Sequence, residues 1–248
     1  FDPQGGFLRK WGIRGSRDGE FSQPQGLAID GDGNVYVSEY GNDRIQVFDP
    51  QGRFLRKWGS EGSGDGEFRT PQGLGIGIEG NVYASDHWND RLQVFDPQGR
   101  FLLKWGIRGS GDGEFSRPQG LAIDGDGNVY VSEYGNNRIQ VFDPQGSFLR
   151  KWGFGGSGDG EFSQPHGLAI DGDGNIYVSE YGNDRIQVFG PQGRFLRKWG
   201  IGGSGDGEFN RPQGLAIDSE GNVYVSDQGN DRIQVFDPQG RFLRKWGI

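Results

Sequence analysis

Cysteine and methionine are absent from this 248-residue chain, histidine occurs twice, and no long apolar run interrupts it. Each shortage removes a class of reading. Without cysteine there is no disulfide framework and no thiolate chemistry, which suits either side of a membrane. Without a run near 18 apolar residues, no segment inserts into a bilayer. Lys and Arg number 26 against 34 Asp and Glu, a formal net charge of −8. The basic residues are spread evenly rather than clustered, so nucleic acid, which is bound by displacing counterions, is not an expected partner. The lack of Met even at position 1 is expected of a processed chain, a fragment or a designed one, as is an opening at Phe1 in mid-pattern. A secreted or cell-surface location is expected.

Glycine and aromatic residues are plentiful. Gly accounts for 49 positions and hydrophobic residues for only 32%, which superficially suggests low complexity. The glycines recur at fixed offsets, however, and mark turns. With 18 Phe, 8 Tyr and 7 Trp, the chain carries far more large apolar surface than a disordered segment does.

The offsets follow a period of 47 residues. Phe-Asp-Pro-Gln-Gly begins at Phe1, Phe48, Phe95, Phe142 and Phe236, and at Phe189 as Phe-Gly-Pro-Gln-Gly. Repeats of this length are the signature of solenoids, propellers or arrays, whose units are too small to bury a core alone. The whole chain, 1–248, is therefore expected to be a single domain, with units starting at 1, 48, 95, 142 and 189 and a partial unit over 236–248.

Within one unit, Gly12–Glu20 reads as a glycine-rich loop. Pro24–Asp30 is a first strand, Gly31-Asp32-Gly33-Asn34 a tight hairpin turn, and Val35–Ser38 a second strand. Arg44-Ile45-Gln46-Val47-Phe48 alternates polar and apolar, the pattern of a half-buried third strand. Asp49–Gly52 turns into a fourth strand, Phe54–Trp58. Four short antiparallel strands per unit describe a propeller blade. Val35, Val37, Ile45, Val47, Phe48, Trp58 and their copies are expected to form the layers between blades. The Arg at 44, 91, 138, 185 and 232 is expected to be structural, tying loops across blades.

Pro-Gln-Gly-Leu-Ala-Ile-Asp, Gly-Asn-Val-Tyr-Val-Ser and Asn-Asp-Arg-Ile-Gln-Val-Phe resemble the NHL-repeat family along the whole chain. The resemblance implies a β-propeller, usually six-bladed, with first strands lining a central channel. It also implies partners that are mostly proteins or RNA, while related propellers include metal-dependent lyases and hydrolases.

The first three strands occur five times, from Pro24, Pro71, Pro118, Pro165 and Pro212. The fourth occurs six times, ending at Trp11, Trp58, Trp105, Trp152, Trp199 and Trp246. The expected fold is thus all-β, a propeller of five complete four-stranded blades plus one surplus outer strand. The alternative is a six-bladed geometry completed in trans or by missing residues. An unclosed ring exposes strand edges and invites self-association.

Two local motifs have structural readings. Asp30-Gly31-Asp32-Gly33-Asn34, repeated from Asp124 and Asp171, superficially resembles the start of a calcium loop. An EF-hand needs Gly at position six and a bidentate Glu at twelve; Val35 and Glu39 fall at six and ten. A hairpin turn is expected instead. Gly-Ser-Gly-Asp-Gly-Glu-Phe, as at Gly109–Phe115, lacks the Gly-Lys-Ser/Thr ending of a phosphate loop and no helix follows it. Its Asp and Glu are expected to fix the loop through backbone hydrogen bonds and seat the Phe on the neighbouring blade.

Positions where the copies differ are the candidate site. Antiparallel alternation places the fourth-to-first and second-to-third connections on one face of the disc. There the residue after Pro is Gln25, Gln72, Gln119, His166 or Gln213. After the second strand come Glu39-Tyr40, Asp86-His87, Glu133-Tyr134, Glu180-Tyr181 or Asp227-Gln228, and Trp88 stands where other units have Gly. A concave mouth with convergent polar groups is the default ligand site.

No enzyme is expected, since the units are nearly identical and catalytic zinc usually takes three protein ligands. Neither a metal nor another cofactor is expected. The expected function is a non-enzymatic binding or scaffold propeller engaging a protein, peptide or glycan. Two alternatives stand beside it: a metal-dependent lyase or hydrolase at the channel, and a recently amplified or designed repeat with no evolved ligand.

Overall fold

A computed structural model describes residues 1–2 and 4–247. The chain forms five four-stranded antiparallel sheets set in a ring, a five-bladed β-propeller with almost no helix. Blade one comprises β1 (Pro24–Ile29), β2 (Val35–Glu39), β3 (Arg44–Phe48) and β4 (Phe54–Trp58), paired in that order. Blades two to five repeat it over 71–105, 118–152, 165–199 and 212–247. Their innermost strands are β5 (Pro71–Ile76), β9 (Pro118–Ile123), β13 (Pro165–Ile170) and β17 (Pro212–Ile217). Helix is confined to single turns at His87–Asn89 and Gln228–Asn230.

The strands form where β-branched and aromatic residues alternate with polar ones, and the turns form where local side chains close them. Asp30 Oδ1 accepts from the backbone N–H of Asp32 and Asn34, and Oδ2 accepts from Asn34 Nδ2 and the Tyr36 hydroxyl. These four hydrogen bonds engage both oxygens of the carboxylate and make the run a hairpin device, not a cation loop. Among the described residues no group of three His, Asp or Glu is arranged to hold a metal.

Blades pack face to face. One face of blade one (Tyr36, Ile45, Val47) meets the opposite face of blade two (Leu74, Val82, Ala84, Phe95), and Phe68 closes the layer from the connecting loop. Equivalent layers join blades two to three, three to four and four to five. Each such buried side chain contributes roughly 1.5–3 kcal/mol, so the interfaces carry most of the stability.

Close approach at the axis is secured by two small residues. Ser38 Oγ accepts from the Gly26 N–H and donates to the Gln72 carbonyl on the next blade at 2.5 Å. A Cβ on Gly26 would collide with that same carbonyl oxygen. Glycine is therefore required there for contact between blades.

The glycine-rich loops are compact rather than irregular. Phe21 N–H donates to the Ile13 carbonyl and Gly15 N–H to the Phe21 carbonyl, folding each loop back on itself. As expected, Glu114 Oε2 accepts from the Gly111 N–H and Phe115 is fully buried against Tyr83, Leu92 and Val94 of the preceding blade. The expectation for Asp112 is corrected. It pairs with exposed Lys151 on the fourth strand instead of with the loop backbone, because the fourth strand lies alongside the loop tip.

The C-terminal copy of the fourth strand, Phe242–Gly247, completes blade five. The N-terminal copy, ending at Trp11, pairs with no strand and packs against the outer part of blade one. Arg9 Nη1 donates to the Pro50 carbonyl at 3.0 Å, and the Trp11 and Phe48 rings lie 6.3 Å apart.

Candidate functional site at one mouth of the central channel

Beneath the mouth lies a layer of buried ion pairs. Antiparallel pairing of β2 with β3 sets Glu39 opposite Arg44 across a short connection. Glu39 is fully buried and takes four donors: Arg44 Nε at 2.5 Å, Gln46 Nε2, Asn42 Nδ2 and the Ser22 N–H. The remaining guanidinium nitrogens of Arg44 donate to the carbonyls of Ser16, Arg17 and Glu20 in the adjoining loop. Asp86, Glu133, Glu180 and Asp227 repeat the arrangement with Arg91, Arg138, Arg185 and Arg232.

The expectation that these five carboxylates face a ligand is therefore corrected. They are consumed by the fold. Burial pushes the pKa of Glu133 and Asp86 upward, and the hydrogen bonds and charge of their arginines pull against it. Lone carboxylates could not remain charged in such surroundings, so the arginine partner is obligatory. The repeated arginines are structural as expected, but each ties the loop leading into its own blade to that blade's carboxylate and does not bridge loops across blades.

What remains open at the mouth is aromatic, imidazole and amide. Gln25, Gln72, Gln119, His166 and Gln213 occupy equivalent places on the innermost strands and line a cavity of about 750 Å³, which has Gln228 at its edge and also extends past Leu27, Ile29 and Tyr224 between blades five and one. That volume is within the range of small-ligand sites. Gln72 and Gln119 are buried, Gln25 is exposed, and Gln213 donates to Gln228 Oε1 at 2.9 Å. Tyr40, Tyr134 and Tyr181 are half-buried on the surrounding rim.

Three blades bring a cluster together. His87 is buried with Nδ1 3.1 Å from Gln119 Nε2, so the amide donates and the imidazole carries its proton on Nε2. This leaves Gln119 Oε1 buried without a partner. Trp88 packs edge-on to His87 at 5.1 Å and is 45% exposed, offering its ring to solvent. On blade four, His166 stacks with Tyr181 at 6.4 Å, and Tyr181 lies 6.3 Å from Tyr134 of blade three.

Both imidazoles are held neutral. Burial lowers the pKa of His87 to about 4, opposed by a hydrogen bond to the Pro118 backbone and reinforced by the Arg117 charge. Burial likewise lowers His166 to about 4, and charging His87 would disfavour charging it further. Two arginines complete the cluster. Arg117 lies over the Trp88 ring at 4.9 Å and Arg211 over Tyr181 at 5.6 Å. They escape a reading of strand ends alone, yet a signal exists: the residue before the strand-opening Pro varies as Gln23, Thr70, Arg117, Gln164 and Arg211. Each of these has a left-handed backbone that aims it outward.

The repeats now have a structural context that their sequence matches. Residues 21–48, 115–142, 162–189 and 209–236 match the NHL repeat. Four of the five blades thus carry NHL repeats, and the fold is a β-propeller. Comparison with curated protein sequences found no match. Among solved structures it is similar to virginiamycin B lyase from Staphylococcus aureus, a catalytically inactive variant with quinupristin. That pair shares 16% identity over 92% of this chain and 70% of the lyase, with a TM-score of 0.68. It is also similar to a gluconolactonase from Xanthomonas campestris, at 17% identity over 90% of this chain and 75% of that one, TM-score 0.70. A chain of a nidogen/laminin complex aligns at 18% identity over 91% and 80%, TM-score 0.68. At these identities the likeness is one of fold.

Proposed function

We propose that this NHL propeller is a non-enzymatic binding module that holds a protein, peptide or glycan at the mouth built by blades two, three and four. The observation carrying this reading is Gln119. Its Oε1 is a buried acceptor without a partner, beside neutral His87 and close to exposed Trp88. A buried unpaired acceptor costs about 1–3 kcal/mol, which a ligand hydroxyl or amide N–H would recover on binding. Trp88, Tyr134 and Tyr181 supply flat surfaces of the kind that dominate binding energy. The use of a related propeller in a nidogen/laminin complex supports a protein partner.

A peptide and glycan array, followed by titration calorimetry of the hits, tests the proposal. Trp88→Ala and Tyr181→Ala are expected to weaken binding about tenfold or more while leaving thermal stability nearly unchanged. Hits indifferent to both changes would overturn it.

The second reading is a metal-assisted lyase or hydrolase. It draws on the two neutral imidazoles sharing one mouth and on the lyase and lactonase among the fold neighbours. One stoichiometric zinc or iron ion in the purified protein would favour it. An empty array together with no metal would favour an amplified or designed repeat with no ligand.

A further inference from the structure

Four junctions between blades are alike, and the fifth differs. In the four, the inner strands of successive blades pack side by side, whereas β17 and β1 make no comparable contact. Leu74, Leu121 and Leu168 are 5–7% exposed at the like junctions, but Leu27 is 67% exposed and Ile29 66%. The seam between blade five and blade one is thus lined by apolar side chains, and the channel cavity runs into it past Ile29, Ala216 and Tyr224.

The polar groups tell the same story. At each like junction a serine hydroxyl donates to the next blade's carbonyl, as Ser132 does to His166 and Ser179 to Gln213. A side-chain oxygen also accepts the next blade's N–H, as Asn137 Oδ1 does from Gln164 and Asp184 Oδ1 from Arg211. Among the described residues, Ser226 bonds only to Gly214 of its own blade, and Asp231 reaches no N–H of blade one.

The outer end of the seam is already occupied. Phe1 lies 6.0 Å from Trp246, as Phe142 lies 5.8 Å from Trp105. Arg9 reaches the Pro50 carbonyl as Arg150 reaches that of Pro191. Residues 1–2 and 4–11 therefore stand where the third-to-fourth turn and outer strand of a further blade would stand, between blades five and one. Their inward strand edge is unpaired. A stretch of 34 residues, such as 108–141, spans the loop and three inner strands of one blade.

We propose that the seam is a docking slot for one three-stranded unit of this same repeat. Its third strand adds to the open edge of residues 7–11, the strand-addition mode of recognition. Its apolar faces cover Leu27 and Ile29 on one side and Tyr224 and Ile233 on the other. The Gln carbonyl of its Pro-Gln pair accepts from Ser226, and its Asn or Asp before the third strand accepts from the Gln23 N–H. The slot lies between blades five and one, apart from the cluster of blades two to four.

A synthetic 34-residue peptide with the sequence of residues 108–141 is the probe. Titrated against the intact protein, it is expected to bind 1:1, change Trp11 and Trp246 fluorescence, and raise Tm with peptide concentration. A scrambled peptide is expected to do none of these. Leu27→Asp, at an exposed position, is expected to leave the Tm of the free protein unchanged and weaken peptide binding about tenfold or more. Absence of 1:1 binding, or binding unaffected by Leu27→Asp, overturns the proposal.

Discussion

The ion-pair layer and the mouth above it are a few ångströms apart and built from neighbouring residues, yet they behave oppositely. Glu39, Asp86, Glu133, Glu180 and Asp227 repeat the same contacts in every blade and present nothing to solvent. One residue further along, Tyr40, His87, Tyr134, Tyr181 and Gln228 differ in type, and all but buried His87 are at least partly exposed. A propeller needs every blade to solve the same packing problem, so identical residues recur where the fold is held. A ligand meets several blades at once, so differences between copies accumulate where a single surface is being composed.

The comparison is broken most forcefully at its lower layer. Arg138→Ala leaves Glu133 buried without its counter-charge and takes a donor from each of three loop carbonyls. Urea unfolding is expected to show a loss of about 3–5 kcal/mol. Arg117→Ala, on the rim, is expected to leave stability within about 0.5 kcal/mol. Equal losses would erase the distinction between the layers.

Ser132→Ala removes both the acceptor for Gly120 N–H and the donor to the His166 carbonyl at a regular junction. A cost of about 1–3 kcal/mol is expected. Ser226→Ala at the seam is expected to cost less, since that hydroxyl reaches no second blade. The pair of variants measures how much of the serine's value is contact between blades.

A gentler perturbation is pH. The unfolded chain's histidines titrate near 6.5, while burial lowers both His87 and His166 to about 4 in the folded state. The unfolded state therefore binds protons first, and stability present above pH 6.5 is lost as the pH falls toward 4. His87→Gln and His166→Gln are each expected to flatten this slope in denaturant unfolding. The smallest effect is expected from Asp112→Ala, whose pairing with Lys151 is exposed on both sides. A change above about 0.5 kcal/mol would give that loop tip a role the structure does not.

Much of the fold was legible because the period is unbroken. The third and fourth strands, Arg44–Phe48 and Phe54–Trp58, fall where alternation and turn residues put them, and the first two strands differ by one residue at an end. The hairpin role of Asp30 was legible for the same reason, since its partners lie within six residues. The burial of Glu39 was not. Its sign sits in the sequence as a carboxylate five residues before an arginine across a tight connection, and only the pairing register makes them neighbours. The link from His87 to Gln119 was hidden more deeply. The residues are 32 apart and meet because adjacent blades bring the second-to-third connection of one beside the first strand of the next.

The account rests on a mouth whose imidazoles, His87 buried and His166 half-buried, are neutral above a layer of spent carboxylates. With only two histidines in the chain, an NMR titration of their ring protons resolves both directly. The structure predicts that neither His87 nor His166 gains a proton until the pH approaches 4. Midpoints near 6.5 for both would mean solvent-exposed rings, and the pocket described for blades two, three and four would not exist in solution.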